Sequence, residues 1–172
     1  MKNLFLFICY LLSFSLYSQA NFEKKLQTQL ILAEDGSTID IDAGTYFLTK
    51  SLSLEGKKNI TLRGKGIDKT ILSFKNQVQG AEGIKITNCE NIILEDMTTQ
   101  DSKGDLIKTM QVKGMTFRRL KAEWLGKPKA SNGSYAFYPV LCENVMIDSC
   151  IAIGASDAGI YVGQSKHIRS EE

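Results

Sequence analysis

Hydrophobic and polar residues alternate in short runs along most of this chain, and the runs recur. One run begins after each of Ser51, Gly83, Leu106, Ala136 and Gly159. In most of these runs the first and third residues are apolar, as in Ile84-Lys85-Ile86. An alternation with a period of two residues indicates a β-strand with one buried face. The pattern therefore predicts strands that share one apolar core.

Each repeat contains a turn residue and a second apolar pair at fixed distances. Eight positions after the start of each repeat come Asn59, Asn91, Gly114, Asn144 and His167. The pairs that follow are Ile60/Leu62, Ile92/Leu94, Met115/Phe117 and Val145/Ile147, with Ile168 opening the fifth. A further apolar position follows at Met97, Leu120 and Cys150. The spacing between repeats is 23 residues twice and lengthens to 32 and 30. Three short strands in each period predict an all-β chain, a right-handed parallel β-helix of about five rungs over 35–172. The template of a leucine-rich repeat does not fit, and no 3.6-residue rhythm supports a helical repeat.

Charged residues support this register. The residues before the turn positions are Lys58, Glu90, Lys113, Glu143 and Lys166, and a second set is Arg63, Glu95, Arg118 and Asp148. Both sets alternate in sign from one repeat to the next. Stacked strands lie about 4.8 Å apart, so opposite charges pair and like charges repel. The alternation predicts that each set forms one column on the β-helix.

The two ends of the chain carry different signals. Residues 1–20 combine Lys2, an apolar run and a small-residue site ending at Ala20, which predicts a secretory signal peptide rather than a membrane span. We expect a helix over 21–34, with Asn21 as its N-cap, to cover the first rung. No comparable lid follows the last rung, so we expect either a truncated chain or a partner that covers this end.

Composition excludes some classes of partner. Without residues 1–20 the chain has 20 basic and 19 acidic side chains, because Lys2 is the only charge removed. This balance gives no net electrostatic field that favours nucleic acid or a membrane surface.

Three cysteines remain when residues 1–20 are excluded. Cys89 and Cys142 are predicted two rungs apart, too far for a disulfide, and Cys150 is predicted in the core. We expect no disulfide, no metal site and no cofactor.

Two stretches resemble known families. Residues 35–46, followed by 51–54 and 58–64, look like the entry of pectate-lyase-like right-handed β-helices. Residues 135–140 and 154–165 resemble, more narrowly, exported bacterial parallel β-helix repeat proteins, whose members are generally longer. The resemblance implies the fold and export. It does not imply one reaction, because the Asp-Pro-His motif of epimerases, the acidic calcium ligands of pectate lyases and the paired aspartates of polygalacturonases have no match.

The predicted outward positions of the first strands suggest a binding surface. They form a column of Ser53, Lys85, Lys108, Tyr138 and Tyr161. Tyrosine rings can stack on sugars, and lysines can pair with uronate or sulfate groups. The alternative is an ordinary solvated strand face. Residues 121–134 are predicted to overhang this column, and Trp124 with Lys127 and Lys129 either binds an acidic sugar or anchors its own loop.

Asp157 is the weak candidate for acid–base work, although such an aspartate more often bonds its own turn. His167, the only histidine, is expected to occupy a turn position.

Three functions remain open. The first is binding of an acidic polysaccharide or a cell-surface partner. The second is a lyase or epimerase-like enzyme, and the third is an accessory periplasmic protein for another exported protein. The expected location is the periplasm, cell surface or exterior.

Overall fold

A computed structural model describes residues 21–172, so the predicted signal peptide lies outside the described residues. The helix α1 covers 21–32. It is followed by fourteen strands: β1 Thr38–Asp40, β2 Gly44–Phe47, β3 Lys50–Glu55, β4 Thr61–Arg63, β5 Thr70–Ser73, β6 Gln79–Thr87, β7 Glu90–Gln100, β8 Ile107–Met110, β9 Lys113–Glu123, β10 Tyr135–Val140, β11 Glu143–Asp148, β12 Ile151–Ile153, β13 Ala158–Ile160 and β14 Lys166–Glu171.

The strands form a parallel β-helix of about five turns, as predicted. Sheet B contains β3, β6, β8, β10 and β13 in that order, and nine strands make up sheet A. The second and third strands of a rung both belong to sheet A. In β7 and β9 these two strands are continuous, because the chain bends at Asp96 and Arg119, which have φ values of 59° and 47°. A left-handed residue turns the strand without ending its hydrogen-bonded ladder.

The inward-facing apolar residues predicted from the repeats are in register on sheet B. Leu52 pairs with Ile84, Ile84 with Ile107, Ile107 with Phe137, and Phe137 with Ile160. The first four are buried in one apolar core. Ile160 keeps the register but is 41% exposed, because no described strand stacks beyond the last rung.

The two charge columns and the turn column are confirmed. Lys58, Glu90, Lys113, Glu143 and Lys166 pair in sequence, as do Arg63, Glu95, Arg118 and Asp148. Asp40 extends the second column at its start by pairing with Arg63. The five turn residues, His167 among them, all have positive φ values, which only glycine and small polar residues commonly adopt. The side-chain amide of Asn91 donates to the amide oxygen of Asn59 at 3.0 Å.

The helix α1 covers the first rung, two residues shorter than predicted. Leu26 and Leu30 are buried against the core. The side-chain amide of Gln27 donates to the carbonyl of Ser53 and accepts from its N–H, both at 2.9 Å. The carboxylate of Glu23 accepts from the N–H of Thr49 at 3.0 Å. These side chains satisfy backbone groups of β3, the edge strand of sheet B, which would otherwise be open to pairing.

Candidate functional site

The outward face of sheet B carries the predicted column. Ser53 pairs with Lys85, Lys85 with Lys108, and Lys108 with Tyr138. Tyr161 follows Ile160, which pairs with Phe137, and the N–H of Tyr161 donates to the carbonyl of Phe137 at 3.0 Å. We name these five residues the outer column. Their side chains leave the core because neighbouring positions in a strand point to opposite faces.

Three tyrosines gather at the C-terminal end of this face. Tyr135 lies three positions before Tyr138 on β10, and its ring stacks on that of Tyr161 with centroids 4.7 Å apart. The Tyr138 ring lies 4.7 Å from Tyr135 and 5.6 Å from Tyr161. We name these three residues the tyrosine cluster. Tyr161 is 46% exposed, so the cluster presents an aromatic surface to solvent.

The backbone of Gly163 lies close to the tyrosine cluster. A Cβ at this position would come within 3.1 Å of the Tyr138 ring. A side chain there would therefore force the ring to shift, so a glycine allows Tyr138 its observed position.

A second column stands at the corner where the chain enters sheet B. It contains Glu82, Asp105, Tyr135 and Ala158, each three positions before a member of the outer column. The register follows from three hydrogen bonds: Gly83 N–H to Asp105 carbonyl, Leu106 N–H to Tyr135 carbonyl, and Tyr135 N–H to the Asp105 carboxylate. Tyr135 pairs with Ala158. We name these four residues the corner column.

Lys108 connects the two columns. Its Nζ lies 3.9 Å from Oε1 of Glu82 and 3.8 Å from Oδ2 of Asp105. The same ammonium lies 4.9 Å from the centroid of the Tyr138 ring, within reach of a cation–π contact. Burial raises the pKa of Asp105, and the charge of Lys108 opposes that rise. Lys108 is therefore already engaged by carboxylates and does not stand as a free cation.

Lys85 has no ion-pair partner within residues 21–172. It lines a groove of about 280 Å³ together with Ser53, Glu55, Thr87, Asn88 and Met110. Lys85 belongs to the predicted site and is the cation of the outer column that has no carboxylate partner among the described residues.

Trp124 corrects one part of the sequence interpretation. Its side chain is 4% exposed, and its indole N–H donates to the carbonyl of Ser102 at 2.9 Å. Its ring therefore anchors the 121–134 loop, which is the second of the two roles considered from the sequence. Lys127 and Lys129 are exposed, and Lys129 lines a groove together with Trp124, Asp101 and Ser102, apart from the groove at Lys85.

Asp157 lies beside the tyrosine cluster. Interaction of its carboxylate with the Tyr135 hydroxyl, together with burial of that hydroxyl, raises the pKa of Tyr135, because a neighbouring negative charge opposes ionisation of the tyrosine. This aspartate is exposed.

Glu82, Asp105 and Tyr135 were not among the candidate site residues predicted from the sequence. The signal available was their constant spacing of three residues before Lys85, Tyr138 and Lys108. That spacing alone does not show whether their side chains reach the same face, because this depends on how the backbone bends at these positions. Within residues 21–172, no three histidine, cysteine or acidic side chains are grouped as a metal site.

Comparison with known proteins supports the architecture. A candidate glycosyl hydrolase from Parabacteroides merdae has a TM-score of 0.60 and 18% identity, over 80% of this chain and 70% of the other. A pectin methylesterase variant in complex with a hexasaccharide has a TM-score of 0.49 and 12% identity, over 73% of this chain and 43% of the other. At this identity, the likeness to the Parabacteroides merdae protein shows the fold alone. No family model and no curated protein sequence matches the chain.

Proposed function

We propose that this protein is an exported β-helix that binds a carbohydrate chain along the outer face of sheet B. The observation that carries the proposal is the tyrosine cluster, three rings within 5.6 Å of one another on a rigid sheet. A solvent-facing aromatic surface fits the apolar face of a sugar ring, and stacking requires little reorganisation of side chains that already pack together.

The direction of the bound chain follows from the columns. Neighbouring rungs are about 4.8 Å apart, so Lys85 lies roughly 10 Å from Tyr138 along the axis of the β-helix. A carbohydrate chain that stacks on the tyrosine cluster and runs along this axis reaches the groove at Lys85. An ammonium there, without an ion-pair partner in the part of the chain that the structure describes, suits a carboxylate or sulfate group. The ligand class is therefore an acidic polysaccharide with its anionic group at Lys85 rather than at Lys108.

The name of the similar Parabacteroides merdae protein is in line with this ligand class. Export rests on the predicted signal at 1–20, which the structure does not describe. No helix in residues 21–172 combines the length and apolar character that a bilayer crossing requires.

Binding of polygalacturonate, alginate and neutral xylan to residues 21–172, measured by affinity electrophoresis and calorimetry, tests the proposal. We expect Tyr161→Ala to weaken binding about 2- to 13-fold, since a stacked ring contributes roughly 0.5–1.5 kcal/mol. Tyr161→Phe keeps the ring and should bind like the parent. Lys85→Gln should weaken only the acidic ligands, and less so at high salt.

The matched control is Lys113→Gln. It removes a lysine from β9, which belongs to sheet A and not to the proposed binding face of sheet B. The proposal fails if no ligand binds, or if Tyr161→Ala binds as tightly as the parent protein.

A further inference from the structure

A groove with three lysines lies at the corner where the chain passes from sheet A to sheet B. It encloses about 350 Å³ and is apart from the groove at Lys85. Lys75, Lys103 and Lys129 line it. They follow β5, β7 and β9, which are stacked on one another, so the three lysines come from three successive rungs. We name this site the lysine groove.

The floor of the lysine groove continues the hydrogen-bonded ladder of sheet A. Phe74, Asp101 and Trp124 directly follow β5, β7 and β9, and the N–H of each still donates to a carbonyl of the next rung, at 2.8, 3.1 and 3.0 Å. Phe74 and Trp124 are buried, whereas the side chain of Leu125 is 53% exposed. The groove therefore has a backbone floor fixed by hydrogen bonds and an exposed apolar side chain beside it.

The three ammonium groups of the lysine groove have no carboxylate partner within residues 21–172. In contrast, Lys121 of β9 has its Nζ 2.9 Å from Oε2 of Glu123. Asp101 is the one acidic residue among the described residues that line the groove, and its Oδ1 already accepts from the N–H of Leu125 at 2.8 Å. Three positive charges against one negative leave a local excess, although the chain without residues 1–20 has 20 basic and 19 acidic side chains. A groove lined mainly by one sign of charge concentrates ions of the other sign.

The geometry of this charge favours a tetrahedral oxyanion over a carboxylate. A lysine ammonium acts as a point charge with three donors and no preferred plane. A sulfate or phosphate group presents three or more acceptor oxygens in different directions, whereas a carboxylate presents two oxygens in one plane. Ammonium groups that approach from three rungs can therefore each reach a different oxygen of a sulfate or phosphate group.

We propose that the lysine groove binds a sulfate or phosphate group, either carried by a sugar or free in solution. Lys75, Lys103 and Lys129 balance its charge, and Leu125 packs against the apolar face of a sugar that carries it. This site is separate from the tyrosine cluster, because it opens at the corner before sheet B and not on the outer face of that sheet. It does not depend on the proposed function.

Trp124 supplies a local signal for the test. It is the only tryptophan of the chain and lines the groove, so its fluorescence reports on a ligand that enters there. Residues 21–172, which include every described helix and strand, are titrated with sodium sulfate, sodium phosphate, a sulfated disaccharide, the same disaccharide without sulfate, and glucuronate. We expect binding of the first three, weaker at high ionic strength, and little binding of the last two.

The same titrations distinguish the two sources of the anion. If the sulfated disaccharide binds more tightly than inorganic sulfate, the group is carried by a sugar, and Leu125→Ala should reduce that advantage. If the two bind equally, the site takes the free ion. Both results support the lysine groove as an oxyanion site.

Substitutions of the three lysines test the assignment of the site. Lys75→Gln, Lys103→Gln and Lys129→Gln should each weaken binding of the sulfated disaccharide about two- to fivefold, as expected for exposed ion pairs, and the triple variant at least about eightfold. The matched control loses the same charge at exposed lysines that do not line the groove: Lys25→Gln, Lys69→Gln and Lys113→Gln. The control should bind like the parent protein.

The inference is overturned if none of the three anions binds, if glucuronate binds as tightly as sulfate, or if the control loses as much affinity as the groove variant. Unchanged binding by a folded triple groove variant also overturns it. Circular dichroism shows whether that variant folds, and the three single variants decide the question if it does not. Failure of the polysaccharide test above leaves this site standing, and failure here leaves the proposed function standing.

Discussion

The alternating charge column on sheet A gives the most demanding test of the register. Arg118 stands between Glu95 and Asp148, with its guanidinium 3.6 Å and 3.3 Å from their carboxylates. Arg118→Glu replaces two attractions with two repulsions. Each partly exposed pair contributes about 0–1 kcal/mol, and each like-charged pair at about 4 Å costs about 1 kcal/mol in water. We expect a loss of about 2–4 kcal/mol in the free energy of unfolding.

The assay is thermal and urea unfolding followed by circular dichroism. For a chain of this size the loss corresponds to a fall in Tm of about 4–16 °C. Arg118→Gln removes only the attractions and should lose about 0–2 kcal/mol, at most half as much. The deficit of Arg118→Glu should shrink in 1 M salt, where the screening length is about 3 Å. Adding Asp148→Lys to Arg118→Glu restores an oppositely charged pair between these two positions and should recover part of the stability. If this double variant is no more stable than Arg118→Glu, the stacked register does not control these energies.

Two other predictions concern the first rung and the pH range of stability. Gln27→Ala removes both hydrogen bonds to Ser53 and should cost about 1–3 kcal/mol; amide exchange at Ser53 should accelerate, whereas the exposed neighbour variant Gln29→Ala should leave it unchanged. Arg119 donates two hydrogen bonds to Asp96, at 2.6 Å and 2.7 Å, and holds the pKa of Asp96 below its ordinary value. Because the folded pKa is lowered, this stabilisation is complete above the unfolded value of about 3.9 and is lost as pH falls through the folded pKa. Melting curves between pH 6 and pH 2 should therefore lose less stability on acidification in Arg119→Gln than in the parent; equal losses would contradict the assignment.

The sequence was sufficient for the fold because its signals are local and repeated. Each rung carries apolar residues and a left-handed turn residue at equivalent positions, and two charge columns alternate in sign, the second of them as far as Asp148. A strand that slipped by one residue would expose its apolar side chains and break the charge pairing at the same time. The register of Lys85, Lys108 and Tyr138 could therefore be predicted correctly from spacing alone.

Part of the candidate site could not be predicted because it depends on angles at corners. Glu82 lies within β6 and Asp105 lies two residues before β8, and only the course of the backbone there turns both carboxylates toward Lys108. Trp124 is a similar case, since its loop has no repeat to fix it and its burial depends on a hydrogen bond to Ser102.

The amino-acid order by itself determined how the strands of successive rungs stack, because every rung repeats the same alternation and buries apolar side chains at equivalent positions. The tertiary structure alone decided which charges meet between columns, that the tyrosines form one cluster, and that Lys108 is engaged while Lys85 is not. The physical reason is that a period fixes neighbours along the axis of the β-helix, whereas contacts around its circumference depend on how the chain turns at each corner.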